Sequence, residues 1–334
     1  MKAWIVDGKT GIKGMQQVDF EEPIPRSGEV VLAVGLAALN PADAYLAEGQ
    51  YPARPSFPHI LGRDAVGTVA AAGPDVRWPV VGERVIVLRS EVGVNRPGTF
   101  AERVAVPAVS LAPVPGGWAD EQAAGAALVY ITAWQALSQW DAFAGLAGTS
   151  ATPGVVLVTG ASGGVGVASV QLGKGLGHTV VALSRSAGKA DKLRKLGADL
   201  TFNPQEKTWS KACRAALGAK RVDLAIDNIG GAGLAEVIDC LAMNGRVSVV
   251  GRLAGPVPSF NTASLFFRRL KMGGVAIATY SDDEMRAVWQ RVVAELARTG
   301  ARPLVDHVFG FAELPAAFAR LAEGPMGKVL VKVA

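Results

Sequence analysis

Apolar residues are distributed along this chain in two regimes. Up to about residue 120 they come in short bursts punctuated by Gly and Pro: Glu29 to Gly35, Ala65 to Ala71, Arg84 to Leu88 and Ala101 to Val106. Bursts of this kind between turn formers predict short strands and, together, an irregular β domain. From about Gly154 apolar runs alternate with helix-like segments. Strands are predicted at Val155 to Thr159, Thr179 to Leu183, Leu200 to Phe202, Val222 to Asp227, Arg246 to Val250 and Gly274 to Ala278. Val155 to Val158 are apolar at every position rather than at every second one, the pattern of a parallel strand covered on both faces. Six strands with helical crossovers predict a doubly wound α/β sheet.

The segment SDDEMRAVWQRVVAELARTG reads as an amphipathic helix. Ser281 and Glu284 make a capping box, Gly300 is a stop, and Met285, Val288, Trp289, Val292 and Leu296 line one face. A further helix is expected near Pro315 to Glu323, ending at Gly324, and Lys328 to Val333 reads as a last strand that returns to the first domain. The expected division is residues 1–124 with 281–334 in one domain and 125–280 in the other. The longest apolar stretch, around Ala123 to Leu137, is shorter than the roughly 20 residues that cross a bilayer and predicts a buried helix.

The first predicted strand of the second regime runs straight into glycines: VVLVTGASGGVG, residues 155 to 166. A strand, a glycine turn and a helix starting near Val165 form a dinucleotide-binding turn. Glycine lets the chain reverse tightly and lets backbone amides approach a pyrophosphate, which then faces the helix N-terminus. The pattern is A-x-G-x-x-G, with Ala161 in the first place, and its candidate cofactor-binding residues are Gly160, Ser162, Gly163, Gly164, Val165 and Gly166. The next strand ends beside the adenosine ribose, where an acidic residue would select NAD. Here the chain reads Ser184, Arg185, Ser186 and then Lys189. Two hydroxyls, a guanidinium fork and an ammonium suit a 2′-phosphate, so NADPH is the expected cofactor.

The bulk numbers narrow the partners. The 334 residues carry 34 basic and 29 acidic side chains, a net charge of +5, with no run of like charge. Nucleic acid is therefore not an expected partner. MKAWIVDGKT lacks the long apolar core of a signal peptide. With only Cys213 and Cys240 there is no disulfide framework, and a reducing cytoplasm is expected.

Several segments in order, ALNPADAYLAEGQYP (38–52), ILGRDAVGTVAAAG (60–73), GTFAERVAVP (98–107), the glycine turn, VDLAIDNIGG (222–231) and GKVLVKV (327–333), span nearly the whole chain. In this order they resemble the medium-chain dehydrogenase/reductase superfamily, and within it the zinc-independent quinone oxidoreductases, the zeta-crystallin-like branch. The resemblance implies an N-terminal GroES-like irregular β domain, a Rossmann domain and a C-terminus returning to the first. Where the zinc branch has a Cys before an Asp, and a His and Glu after a Gly, this chain has Asn40 before Asp43, and Arg63 and Asp64 after Gly62. A catalytic zinc needs three N, S or O ligands and an open position. Neither cysteine falls in the substrate domain, and His59, His178 and His307 have no ligand spacing, so no metal is expected.

Without a metal, the hydride must go to an acceptor that is already electrophilic, a quinone or an enone β-carbon. The resemblance puts Asn40 and Asp43 near the nicotinamide, with Tyr45 and Tyr51 lining the substrate space; a phenol can donate a proton as enolate charge develops. Asp43 has a second reading as a helix anchor after Pro41, and Arg63 as an ion-pair partner of Asp64 or another acid, or as a binder of an anionic substrate group. Further cofactor contacts implied by the resemblance are Thr132, Asn228 to Gly230, Gly251 and Arg252. Asn203 and Pro204 stand where close relatives often have a tyrosine beside the adenine.

The expected function is NADPH-dependent reduction of a quinone or α,β-unsaturated carbonyl. An enoyl-thioester reductase would need a basic groove, for which Arg54, Arg63, Arg89 and Arg96 are candidates; a non-catalytic dinucleotide-binding protein is the rival from another class. Pocket size is expected to depend on Tyr45, Tyr51, Arg89, Tyr130 and the 252–267 loop. The strand at 274–278 is expected at the sheet edge, where pairing with its copy would make a homodimer.

Overall fold

A computed structural model describes residues 1–88, 91–140 and 153–334, and divides into two compact units. The first comprises Met1–Leu128, Tyr280–Trp289 and Arg302–Ala334. Its main sheet has the strand order Val305–Gly310, Lys328–Lys332, Glu29–Ala38, Asp64–Ala72, Arg84–Val87, Leu111–Pro113, and Arg103–Pro107 also pairs with Glu29–Ala38. A smaller antiparallel sheet joins Gln16–Asp19, Lys2–Val6 and His59–Ile60. The C-terminal strand runs antiparallel to Glu29–Ala38, with Leu330 opposite Ala38, so the chain end does return to this unit.

The core here forms because inward positions of the sheet strands, Leu32, Val34, Val85, Val104 and Val331, share one apolar cluster with Leu61 and Phe318. Phe100 and Phe318 meet edge to face with ring centroids 5.8 Å apart. Each such large buried side chain stabilises the fold by about 1.5–3 kcal/mol. Among the short strands the pattern did not single out are Lys2–Val6, Gln16–Asp19 and Leu111–Pro113. They offer too few alternating positions to stand out.

The second unit, Val129–Thr279 with Gln290–Ala301, is built on a six-stranded parallel sheet. Its order is Leu200–Phe202, Thr179–Leu183, Val155–Val158, Val222–Asp227, Leu241–Val249, Lys271–Gly274. In sequence terms this is 3-2-1-4-5-6, which reverses direction beside Val155–Val158 and so creates a switch point at the carboxyl ends of strands one and four. Val155 to Val158 are at most 2 % exposed, as uninterrupted apolarity predicts.

Two expectations change here. The edge strand is Lys271–Gly274 rather than 274–278, and Ile277–Thr279 is a 3-10 turn. Gly274 already pairs with Val249, the last residue of the neighbouring strand, so the apolar run beyond it has no strand to join. The expected buried helix of 123–137 is broken: Asp120–Ala124 ends at Gly125, and Ala127–Ser138 follows.

Asp282–Thr299 is helical, with the Ser281 backbone N–H donating to Glu284 (2.8 Å) and the Glu284 N–H donating back to the Ser281 hydroxyl (3.3 Å). The five face residues named above are all buried. Among the described residues no helix is long and apolar enough to cross a membrane.

Candidate functional site

The glycine turn lies at the switch point of the second unit. Gly160 has φ +55°, a left-handed conformation that favours glycine. A Cβ on Gly166 would come within 2.3 Å of the Gly160 carbonyl, so this glycine lets the helix Gly164–Gly175 pack on the turn. Gly163 differs: its φ is −74° and a Cβ would meet nothing nearer than the Gly160 oxygen at 3.5 Å. Its missing side chain leaves the approach to the helix N-terminus open. Ala161, in the first motif position, is fully buried.

The loops after strands four and five are tied to this turn by Asp227. Its carboxylate accepts from the Thr159 hydroxyl (2.6 Å) and the Gly230 amide (3.1 Å), and the Asn228 amide donates to Thr159 Oγ1 (2.9 Å). Asn228 Nδ2 donates to the Thr159 carbonyl (2.8 Å), which fixes the side-chain amide and leaves Oδ1 buried with no partner among the described residues. A Cβ on Gly251 would lie 2.4 Å from the Asn228 oxygen, so the two loops are in close approach. An orphaned acceptor beside a glycine cradle at a switch point fits a hydroxyl- or amide-bearing dinucleotide.

On the adenosine side, Ser186 caps the helix Ala187–Lys195, its hydroxyl accepting from the Lys189 amide (3.4 Å). Ser184 bonds the Ser186 carbonyl (3.2 Å), so both serines shape the loop. Arg185 is exposed and makes no hydrogen bond or ion pair among the described residues. Thr132 sits buried on Ala127–Ser138, and Arg252 follows Gly251, half-buried. Tyr130, expected to shape a pocket, is instead fully buried with its hydroxyl on Gln171, and burial pushes its phenol far up.

The first unit gathers a second set of polar groups. The Glu29–Ala38 strand ends where its antiparallel neighbours, Asp64–Ala72 and Lys328–Lys332, begin. Lys328 Nζ donates to the Leu39 carbonyl (2.9 Å), Asn40 Oδ1 (2.7 Å) and Asp64 Oδ2 (3.1 Å), using all three of its protons. Asn40 Nδ2 donates to the same Asp64 oxygen (3.0 Å). Lys328 and Asp64 are 5 % and 0 % exposed, and Asp64 Oδ1 has no partner among the described residues.

Asp43 also closes the start of the helix Pro41–Ala47, its Oδ2 accepting from the Asn40 backbone N–H (2.9 Å). Arg63 Nε donates to the other Asp43 oxygen (3.0 Å). Burial pushes the Asp43 carboxyl up, while the Arg63 guanidinium and the Asn40 amide pull against it. The expected alternative pairing of Arg63 with Asp64 is replaced by Arg63 with Asp43 and Lys328 with Asp64. Arg63 also reaches Tyr51: Nη1 lies 3.4 Å from the phenol oxygen and the guanidinium carbon 5.1 Å from the ring centroid. Tyr45 is half-buried on the same helix as Asp43.

Thus Asn40, Asp43, Arg63, Asp64 and Tyr51 form one chain of contacts, joined at the Asn40–Asp64 end by Lys328, a residue that sequence reasoning missed. The available signal was a lysine at the head of the apolar run KVLVK. The other arginines weighed for a basic groove are engaged: Arg54 bonds the Gly49 and Tyr51 carbonyls, and Arg96 pairs with Glu29. Arg89 lies outside the described residues.

Comparison with known proteins agrees with this architecture. Residues 26–116 match the alcohol dehydrogenase GroES-like domain, and residues 164–297 match the family described as zinc-binding dehydrogenase. The chain is 30 % identical to the acryloyl-coenzyme A reductase of Sulfurisphaera tokodaii over 306 residues, covering 85 % of this chain and 87 % of that protein. It is 26 % identical to the quinone oxidoreductase of Sus scrofa over 294 residues, 88 % and 85 % of the two chains. Among solved structures, mycobacterial Rv1454c complexed with NADPH superposes with a TM-score of 0.87 at 25 % identity over the full length of both chains. With its GroES-like unit, its Rossmann sheet and these relatives, the chain belongs to the medium-chain dehydrogenase/reductase superfamily, in the quinone oxidoreductase branch.

Proposed function

We propose that this protein is an NADPH-dependent, metal-free reductase of quinones or α,β-unsaturated carbonyls. The observation that carries the reading is the pairing of an open glycine cradle with an unengaged Arg185 at the end of the next strand. Bound NADPH supplies a hydride. The amides at the start of Gly164–Gly175 hold its pyrophosphate, Arg185 and Lys189 its 2′-phosphate, and Asn228 Oδ1 accepts from a hydroxyl or amide of the cofactor. Thr132, Ser162, Val165, Gly251 and Arg252 are further cofactor contacts.

The first unit supplies the polar groups for the acceptor. Tyr51 donates the proton that accompanies hydride addition, with Arg63 holding the phenol and Asp43 holding Arg63. Asn40 and Tyr45 complete the wall. Zinc does not fit the residues at the positions of the zinc branch. Asp64 is already neutralised by the Lys328 ammonium and Asp43 by the Arg63 guanidinium. A divalent cation would stand among positive charges, with Asn40 engaged on both its side-chain atoms.

The edge strand Lys271–Gly274 is proposed as a homodimer contact. It carries the half-exposed Met272, and Phe266 and Phe267 just before it are exposed. Sedimentation equilibrium reads the assembly directly.

The likeness to an acryloyl-coenzyme A reductase favours a second reading, reduction of an enoyl thioester. Turnover against a benzoquinone, 9,10-phenanthrenequinone, an enone and a crotonyl thioester separates the two. Preference for quinone or enone supports the first reading, and preference for the thioester supports the second. Tyr51→Phe is expected to lower turnover about 100-fold if its proton is transferred in the rate-limiting step, with NADPH affinity unchanged. Wild-type turnover would remove Tyr51 from that role.

A further inference from the structure

The second unit has a cavity at the end of its sheet opposite the glycine turn. It lies where the strands Val222–Asp227 and Leu241–Val249 begin, whereas the turn follows the carboxyl end of Val155–Val158. The strands are parallel, so a strand length, about 20 Å for six residues, separates the two ends. The cavity has a volume of about 610 Å³ and carries Lys211, Arg214, Arg221 and Arg268 in its wall, against one carboxylate, Asp239.

None of these four cations is in an ion pair among the described residues. The three arginines bond backbone carbonyls instead: Arg214 that of Asp239 (3.4 Å), Arg221 those of Gly218 and Lys220 (both 2.8 Å), and Arg268 that of Leu241 (3.0 Å). Each uses only Nη1, so the bonds hold the guanidinium in place and leave its remaining donors available. Lys211 makes no hydrogen bond among the described residues. The wall also contains Leu241 and Met243, the latter 59 % exposed.

We propose that this cavity binds a nucleoside polyphosphate. Four cations, three of them held by backbone carbonyls, against one acid exceed what a single phosphate neutralises and match a di- or triphosphate, with guanidinium forks on its oxygens. The volume falls within the roughly 300–1,000 Å³ of small-molecule sites. The exposed thioether side chain of Met243 offers an apolar surface against which a base can lie. The site is separate from the dinucleotide turn, so its ligand and the nicotinamide cofactor bind together. The proposal does not depend on the acceptor substrate.

Calorimetric titration of the full-length protein, saturated with a nicotinamide dinucleotide at physiological salt, tests it with ATP, pyrophosphate and adenosine as probes. ATP is expected to bind at one site, pyrophosphate more weakly, and adenosine without detectable heat. Arg214→Gln with Arg268→Gln should weaken ATP at least about tenfold and leave dinucleotide affinity unchanged. Lys211→Gln, which disturbs no bond to the fold, should weaken it severalfold. ATP affinity unchanged in Lys211→Gln and in the double variant would overturn the proposal. So would ATP binding only when the dinucleotide is absent, or displacement of ATP by sulfate at equal ionic strength, which would show bare charge attraction only.

Discussion

The two polar centres of this protein are made in opposite ways. The turn at 159–166 is made of backbone: its shape comes from side chains that are missing at Gly160, Gly163 and Gly166, and its partners are within one local segment or tied to it by Asp227. The centre around Asn40 is made of side chains, with a buried ammonium and a buried guanidinium each set against a carboxylate. A backbone site tolerates perturbation of its rim because the fold does not depend on what it binds. A buried ionic site does not, since removing one member strands the charge of the other.

The largest effect should therefore come from Lys328→Met. Removing the ammonium leaves Asp64 buried beside Asn40 alone, at an expected loss of about 3–5 kcal/mol in denaturant unfolding. Adding Asp64→Leu should recover part of that loss; no recovery would mean that the two charges are not a unit. Gly163→Val probes the other side of the contrast. Its side chain points into open space, so NADPH affinity should fall by at least about 100-fold, near 2.7 kcal/mol, with the melting temperature close to wild type. Unchanged binding would place the pyrophosphate elsewhere.

Arg185→Asp should be more selective still, weakening NADPH about 10- to 100-fold more than NADH, as expected for one or two lost charge-assisted bonds. Equal losses for both cofactors would dissociate Arg185 from the 2′-phosphate. The smallest effect concerns His59, buried in the first unit. Desolvation, helped by the Arg63 charge and opposed by a Gly93 backbone contact, holds its pKa below the usual 6.5. The folded protein keeps the ring neutral while the unfolded chain protonates it. The stability it contributes is present above pH 6.5 and is lost as pH falls from there through the lower folded value. His59→Gln should flatten that part of the stability profile; a profile parallel to wild type would show that other groups set it.

The same contrast explains what could be read from the sequence. The glycine turn is contiguous, and three of the strands around it, Thr179–Leu183, Leu200–Phe202 and Val222–Asp227, have the bounds their apolar runs predict. The Asn40 centre depends on a lysine 264 residues from Asp64, and no local pattern reports a contact of that separation. Of the two ion-pair partners expected for Arg63, Asp64 or another acid, the structure has the second, Asp43. Arg63 and Asp64 are neighbours in sequence, but successive side chains in an extended segment point to opposite faces, so each finds a different partner. The edge strand was displaced because the apolar residues of 275–278 outweighed KMGG, although only the latter has a neighbour to pair with.

The central proposal is that the backbone cradle holds the dinucleotide, that Arg185 and Lys189 beside it select NADPH, and that no metal takes part. Steady-state oxidation of NADPH and of NADH by chelator-treated protein, with 9,10-phenanthrenequinone as acceptor and with and without added zinc, tests the cofactor selection and the metal independence at once. The account predicts a higher kcat/KM with NADPH and no response to zinc. A preference for NADH, or turnover that returns only when zinc is restored, would contradict it.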